Sequence, residues 1–118
     1  MMHVHTVGQL YDRAVQHGSD AIAISRDTRH WSYRQLGEQA ARLNAALAAL
    51  GVGHGDRVAF LMVNCPEYVA CEYALAHLGA TRVPLAVLLG NDDHVTMMNL
   101  ARCKVLIYHE RLAARVLQ

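Results

Sequence analysis

Cysteine is scarce in this 118-residue chain, and what there is does not pair: Cys65, Cys71 and Cys103 are odd in number and include no Cys-x-x-Cys. That argues against a disulfide framework and against a zinc knuckle. An excess of charge of either sign is missing as well. Eleven Lys and Arg against ten Asp and Glu leave a formal net charge of +1, without the basic footprint that nucleic acid or an anionic membrane surface selects. No apolar run approaches the roughly 18 residues of a membrane span. The opening stretch, Met1 to Gln9, lacks the cationic start and apolar segment of a secretory leader. Internal repeats, low-complexity tracts and linkers are also lacking. What is left is one domain's worth of chain or less, expected to be cytoplasmic, whose 53% apolar content is ample for one core.

Histidine and glycine are present, but in patterns that argue against their best-known uses. Eight histidines are dispersed along the chain. His3 and His5 would point to the same side of an extended segment, whereas His17, His30, His54, His77, His94 and His109 are isolated and read as surface or hydrogen-bonded side chains. A phosphate-cradling glycine loop follows a strand and opens a helix. Gly51, Gly53 and Gly55 instead follow a helical stretch and precede an apolar strand, so they read as a helix stop and a turn leading into Asp56 and Arg57.

Periodicity supplies the architecture. Thr6 and Gln9 fit a capping box, Val7, Leu10, Tyr11, Ala14 and Val15 share one helical face, and Gly18 suits a left-handed helix end. Ala21–Ser25 and His30–Ser32 read as a small hairpin about a polar turn. Ser32 and Gln35 open a second helix with the stripe Leu36, Ala40, Leu43, Leu47 and Leu50. Val58–Val63 is the nearly continuous apolar run of a strand covered on both faces. A helix capped by Asn64 then runs to Leu78 and stops at Gly79. Thr81–Leu85 is a strand, Asn91 or Asp92 starts a helix through Ala101, Lys104–Tyr108 is a third core strand, and His109–Leu117 is helical again. Strands alternating with helices predict an α/β fold, a parallel βαβαβ sheet flanked by helices with a small N-terminal hairpin.

Three features could carry chemistry. Val63-Asn64-Cys65-Pro66-Glu67 is the strand-to-helix junction on the carboxyl edge, where open α/β sheets bind ligands, although capping alone also accounts for it. Cys65 at a helix start could have a lowered thiol pKa, or be a small buried residue beside the cap. Arg111 and Arg115, four apart, could form a cationic face for an anion, or a solvated face.

In order and spacing these elements resemble the N-terminal region of the adenylate-forming (AMP-binding) superfamily, acyl- and aryl-CoA synthetases among them. The likeness runs from about Thr6 to Val116. It rests on Trp31-Ser32-Tyr33-Arg34-Gln35-Leu36, Gly55-Asp56-Arg57-Val58-Ala59, Asn64-Cys65-Pro66-Glu67-Tyr68, and Leu78-Gly79-Ala80 ahead of Val83-Pro84-Leu85. The resemblance implies part of the large N-terminal domain of an acyl-activating ligase that joins a carboxylic acid, fatty or aryl, to AMP and then to coenzyme A. It implies ATP, Mg2+ and coenzyme A as cofactors of the full-length enzyme, none held tightly by these residues. It also implies that the chain, 1–118, stops short of the phosphate-binding loop and is not catalytically competent alone. Arg111 and Arg115 lie where some relatives place arginines against the coenzyme A phosphate. Departures occur at Ala86-Val87-Leu88-Leu89-Gly90, more apolar than is usual, and at Asn91-Asp92-Asp93-His94. The alternative is a noncatalytic interaction module derived from a truncated ligase, self-associating through an exposed sheet edge.

Overall fold

The computed structural model describes residues 6–117; His3 and His5 lie outside them. The order is α1 (Val7–Gly18), β1 (Ile22–Arg26), β2 (Arg29–Ser32), α2 (Tyr33–Ala49), β3 (Arg57–Leu61), α3 (Pro66–Leu78), β4 (Thr81–Pro84), α4 (Asn91–Ala101) and β5 (Val105–Tyr108), then a 3-10 turn (Glu110–Leu112) and α5 (Ala113–Val116). β1 and β2 form an antiparallel hairpin, and β4-β3-β5 form a parallel sheet with β3 in the middle.

β3 is central because both its faces are covered. Val58, Ala59, Phe60 and Leu61 are all 3% exposed or less. Alternation sends Val58 and Phe60 toward Leu47, Cys71, Ala74 and Leu75 of α2 and α3. Ala59 and Leu61 face Met97 and Met98 of α4, with Leu112 and Val116, on the other side. A third cluster sits outside the α2–α3 layer, where Leu36, Ala40, Ala70 and Tyr73 take the packing of Tyr11, Val15, Ile24 and Trp31. Tyr11 stacks on Tyr73 with ring centroids 3.7 Å apart.

Both capping boxes form, at Thr6 with Gln9 and at Ser32 with Gln35. Gly51 ends α2 at φ +87° and Gly79 ends α3 at φ +68°, as expected of glycine stops. The turn from Gly51 to Asp56 lies at the amino edge of the sheet, tied by Lys104 Nζ to the Gly51 carbonyl at 2.7 Å. A bond from the Gly53 N–H, helped by the Lys104 charge, holds the Asp56 carboxyl below its ordinary value.

Several expectations need correction. Gly18 is the last helical residue of α1, followed by Ser19 in the right-handed region, so no left-handed stop is used there. Of the face read from the sequence, Tyr11 and Val15 pack inward, joined by buried Gly8, whereas Val7 and Leu10 are more than half exposed. Leu50 is 63% exposed because the helix ends just before it, and Val52, at 4%, enters the core in its place. Asn64 does not cap α3. Pro66, with its preset φ, is the first helical residue, which makes extended Cys65 the N-cap with no side-chain bond. β3 ends at Leu61, leaving Met62 and Val63 in the connection. The last segment is a 3-10 turn and one α turn, not one helix.

His77 joins α1 to α3. Its Nδ1 lies 2.7 Å from the Tyr73 carbonyl and its Nε2 2.7 Å from Asp12 Oδ1. Both neighbours are acceptors, so both contacts are hydrogen bonds only when the ring carries two protons. Burial opposes that charge, but the bonds to Asp12 and Tyr73 outweigh it and raise the His77 pKa above 6.5. With the folded value raised, the stabilisation is complete below 6.5 and fades as pH rises through the folded pKa. Thermal melting should therefore show a loss of stability above that value which Asp12→Asn largely removes. An Asp12→Asn protein with the wild-type pH profile would contradict this.

Candidate functional site

The helices assign the sheet's carboxyl edge a definite geometry. β3 leads into α3 on one face, whereas its neighbour β5 leads into the 3-10 turn and α5 on the other. Adjacent strands whose connections diverge to opposite faces open a crevice at their carboxyl ends, the usual ligand position in open α/β sheets. A cleft of about 330 Å³ lies there. Val63, Cys65 and Pro66 line it from the β3–α3 junction, His109 and Arg111 from the end of β5, and Arg26 to Arg29 from the hairpin turn.

The hairpin reaches this edge because Arg29 Nη2 bonds Glu67 Oε1 at 2.7 Å and its guanidinium lies over the Trp31 ring. Burial disfavours ionised Glu67, but the Arg29 bond and backbone donors prevail, and its carboxyl lies below the ordinary value. His109 Nδ1 accepts the Arg111 N–H at 3.1 Å, which places the neutral ring's proton on Nε2. Cys65 has no activated thiol: desolvation leads the balance and raises its pKa. Burial likewise raises Cys103 and pushes Cys71 up to about 11.

Arg111 and Arg115 are directed to different tasks. Arg111 is exposed at the cleft. Arg115 donates to the Val87 carbonyl at 2.8 Å, the Leu89 carbonyl at 2.7 Å and Asn91 Oδ1. Buried His94 adds a 2.6 Å bond to the Ala86 carbonyl. The unusual segment from Ala86 to His94 is thus a loop pinned from beneath, with Asn91 and His94 supplying its bonds. The junction and Arg111, both singled out from the sequence, line one cleft with Arg26 and Arg29, which the sequence reading placed in a polar turn without singling them out. Their only sequence signal was two arginines flanking a polar turn.

The described residues form an open α/β protein of the parallel-sheet class, with a hairpin and helix layered on one side. Within that class the chain belongs to the AMP-binding enzyme family, whose model matches residues 10–118. It is 33% identical over 102 residues to the acyl-CoA ligase sidI of Beauveria bassiana, a match covering 85% of this chain and 18% of that protein. It is 40% identical over 97 residues to the crotonobetaine/carnitine–CoA ligase of Salmonella paratyphi A, covering 77% of this chain and 19% of that one. Among solved structures, the N-terminal domain of FACL13 from Mycobacterium tuberculosis superposes with a TM-score of 0.91 at 28% identity, over 96% of this chain and 29% of that one. An anthranilate CoA ligase, AuaEII, gives 0.89 at 23% identity over 98% of this chain and 22% of that one, a likeness of fold. The chain spans about a fifth of the length of the curated relatives it matches.

Proposed function

We propose that this chain forms the front of an ATP-dependent acid–CoA ligase acting in the cytoplasm on a fatty or aryl carboxylic acid. In the reaction the carboxylate attacks the α-phosphorus of ATP, releasing pyrophosphate and leaving an acyl-adenylate. The coenzyme A thiol then displaces AMP to give the thioester. The observation that carries this reading is the family match over residues 10–118. The described residues include no group of three or more His, Cys, Asp or Glu set to hold a metal. In this reading Mg2+ and the groups that bind ATP belong to the longer enzyme, of which the chain would be about a fifth by the length of its curated relatives, and no step is derived through them. What the chain itself would supply is a sheet covered on both faces and, at its carboxyl edge, the expected coenzyme A phosphate contacts Arg111 and Arg115, of which Arg111 is exposed at the cleft and Arg115 is engaged by its own loop. Arg115 serves that site by holding the loop from Val87 to Asn91.

Two measurements test this. The purified 118-residue chain should give no ATP–pyrophosphate exchange with any carboxylic acid, and a signal would overturn its incompetence alone. In the product of the longer reading frame, Arg111→Ala should raise the KM for coenzyme A by about tenfold, the loss of one charge-assisted bond, and leave adenylate formation unchanged. A longer product inert toward every acid tried would reject the ligase reading. The second reading, a self-associating interaction module, is favoured by β4 and β5 being edge strands and by Leu88 and Leu100 being 100% and 81% exposed. It requires the chain to form a discrete oligomer in sedimentation.

A further inference from the structure

α1 is fastened along one face. Buried Gly8 lies against the backbone of α3, where a Cβ would come within 3.3 Å of the Ala76 carbonyl oxygen. One turn on, Tyr11 stacks on Tyr73 and Asp12 accepts from His77. Val15 then rests against Gly37 of α2. Among the described residues no backbone hydrogen bond crosses from α1 to α2 or α3. The exit from α1 is fixed more firmly. The Ser19 carbonyl accepts the Arg34 N–H and the Ala21 carbonyl accepts the Tyr33 N–H, each at 3.0 Å, which ties this segment to the first turn of α2. Between the three helices lies a cavity of about 780 Å³, walled by Asp12 and Val15 of α1, Gly37 and Ala41 of α2, and Tyr73 and His77 of α3.

Of the described residues lining that cavity, His77 is the one whose ordinary titration falls near neutral pH. Asp12 is the charge that α1 presents to the ring. From α2, Arg34 is paired with Asp20, and Glu38 lines the same cavity. Arg82 of β4 is held by Glu72, and α3 itself offers the Tyr73 carbonyl and phenol. A neutral ring has one N–H for two acceptors, so one of its two contacts sets lone pair against lone pair. Withdrawing α1 relieves that conflict. The ring keeps its remaining proton on Nδ1 for Tyr73, and Asp12, already 55% exposed, takes water instead.

We propose that α1 is a pH-released strap, latched by protonated His77 and hinged at Ser19 to Ala21, which lifts as a unit while the sheet around β3 stays folded. Lifting it opens the cavity and bares the face of Tyr73 that Tyr11 covers. Burial opposes the charged ring, but the Asp12 and Tyr73 bonds outweigh it, so closure raises the affinity of His77 for its proton. The latch is therefore complete below 6.5 and weakens as pH rises through the folded value. The strap places the pH-dependent loss of stability on one helix, and it does not depend on the ligase reading.

The test is hydrogen exchange of the full chain, read peptide by peptide below and above the His77 titration, which the ring-proton shifts locate. After correction for the intrinsic rise of exchange with pH, amides of α1 should lose several-fold of their protection as His77 deprotonates, and those of β3 none. His77→Gln keeps a donor for Asp12 but cannot titrate, so α1 should be equally protected at both pH values. Equal loss in α1 and β3 would mean that the whole fold opens, which overturns the strap and leaves the stability linkage standing. Protection of α1 that does not change with pH overturns the strap too, as does a pH-dependent loss that survives His77→Gln. The wild-type comparison of α1 with β3 decides the question even if the variant fails to fold.

Discussion

Phe60→Ala is expected to destabilise the fold by about 3–5 kcal/mol, the usual range for removing a fully buried aromatic. Phe60 is 1% exposed on the central strand. Its backbone pairs with Pro84 on one side and Ile107 on the other, so the strand cannot shift to fill a void. Its ring meets Tyr68 edge to face at 5.4 Å, an arrangement the smaller side chain forfeits. Domains of this size have only about 5–15 kcal/mol of total stability, so the variant should melt some 10–20 °C lower and populate unfolded chain readily. Phe60→Leu, which keeps most of the volume, should recover much of the difference. Urea unfolding of the three proteins measures this; a loss below about 1 kcal/mol for Phe60→Ala would mean that β3 is not the buried centre.

Gly79→Val should come next, at about 2–3 kcal/mol. Gly79 closes α3 at φ +68°, a conformation in which a branched side chain collides with its own carbonyl. A Cβ there would also lie 2.6 Å from His54 Nδ1, so the imidazole must swing aside. The Gly79 carbonyl accepts the Gly55 N–H at 2.9 Å, so strain at the helix end passes directly into the glycine turn at the amino edge. Gly79→Ala separates the two effects. If His54 moves freely, alanine should lose only the left-handed penalty of about 1 kcal/mol. Equal melting of the valine variant and the wild type would show that the turn is not held as described.

Much of this fold was legible in the sequence because its signals are local. A capping box occupies four residues, and a strand covered on both faces shows itself as an unbroken apolar run at Val58–Leu61. The order helix, glycines, strand separated a helix stop from a nucleotide loop without any three-dimensional information. What escaped was either non-local or aimed at backbone. Arg29 meets Glu67 across 38 positions, and neither residue is marked for the other by pattern. Arg115 is partnered mainly by carbonyl oxygens, which every residue possesses and none advertises. Asn64 looked like a cap by composition, but proline two positions later sets where the helix can begin. The candidate site was half readable for the same reason. Its floor is a strand-to-helix junction, visible in one dimension, while its hairpin wall arrives by packing.

The strand order has a consequence in time. β3 lies between β4, which follows it closely, and β5, which is separated from it by both remaining long helices. During synthesis at the usual ~5–20 residues per second, one edge of β3 acquires its neighbour early and the other stays open for roughly 2–10 s. Through that interval a strand with four fully apolar residues presents unpaired backbone to whatever is nearby. The dangerous period for this chain therefore falls between the emergence of Leu61 and that of Tyr108, and slow translation across α4 would lengthen it. Chaperone dependence should respond to codon choice within that window and be indifferent to codon choice in α1.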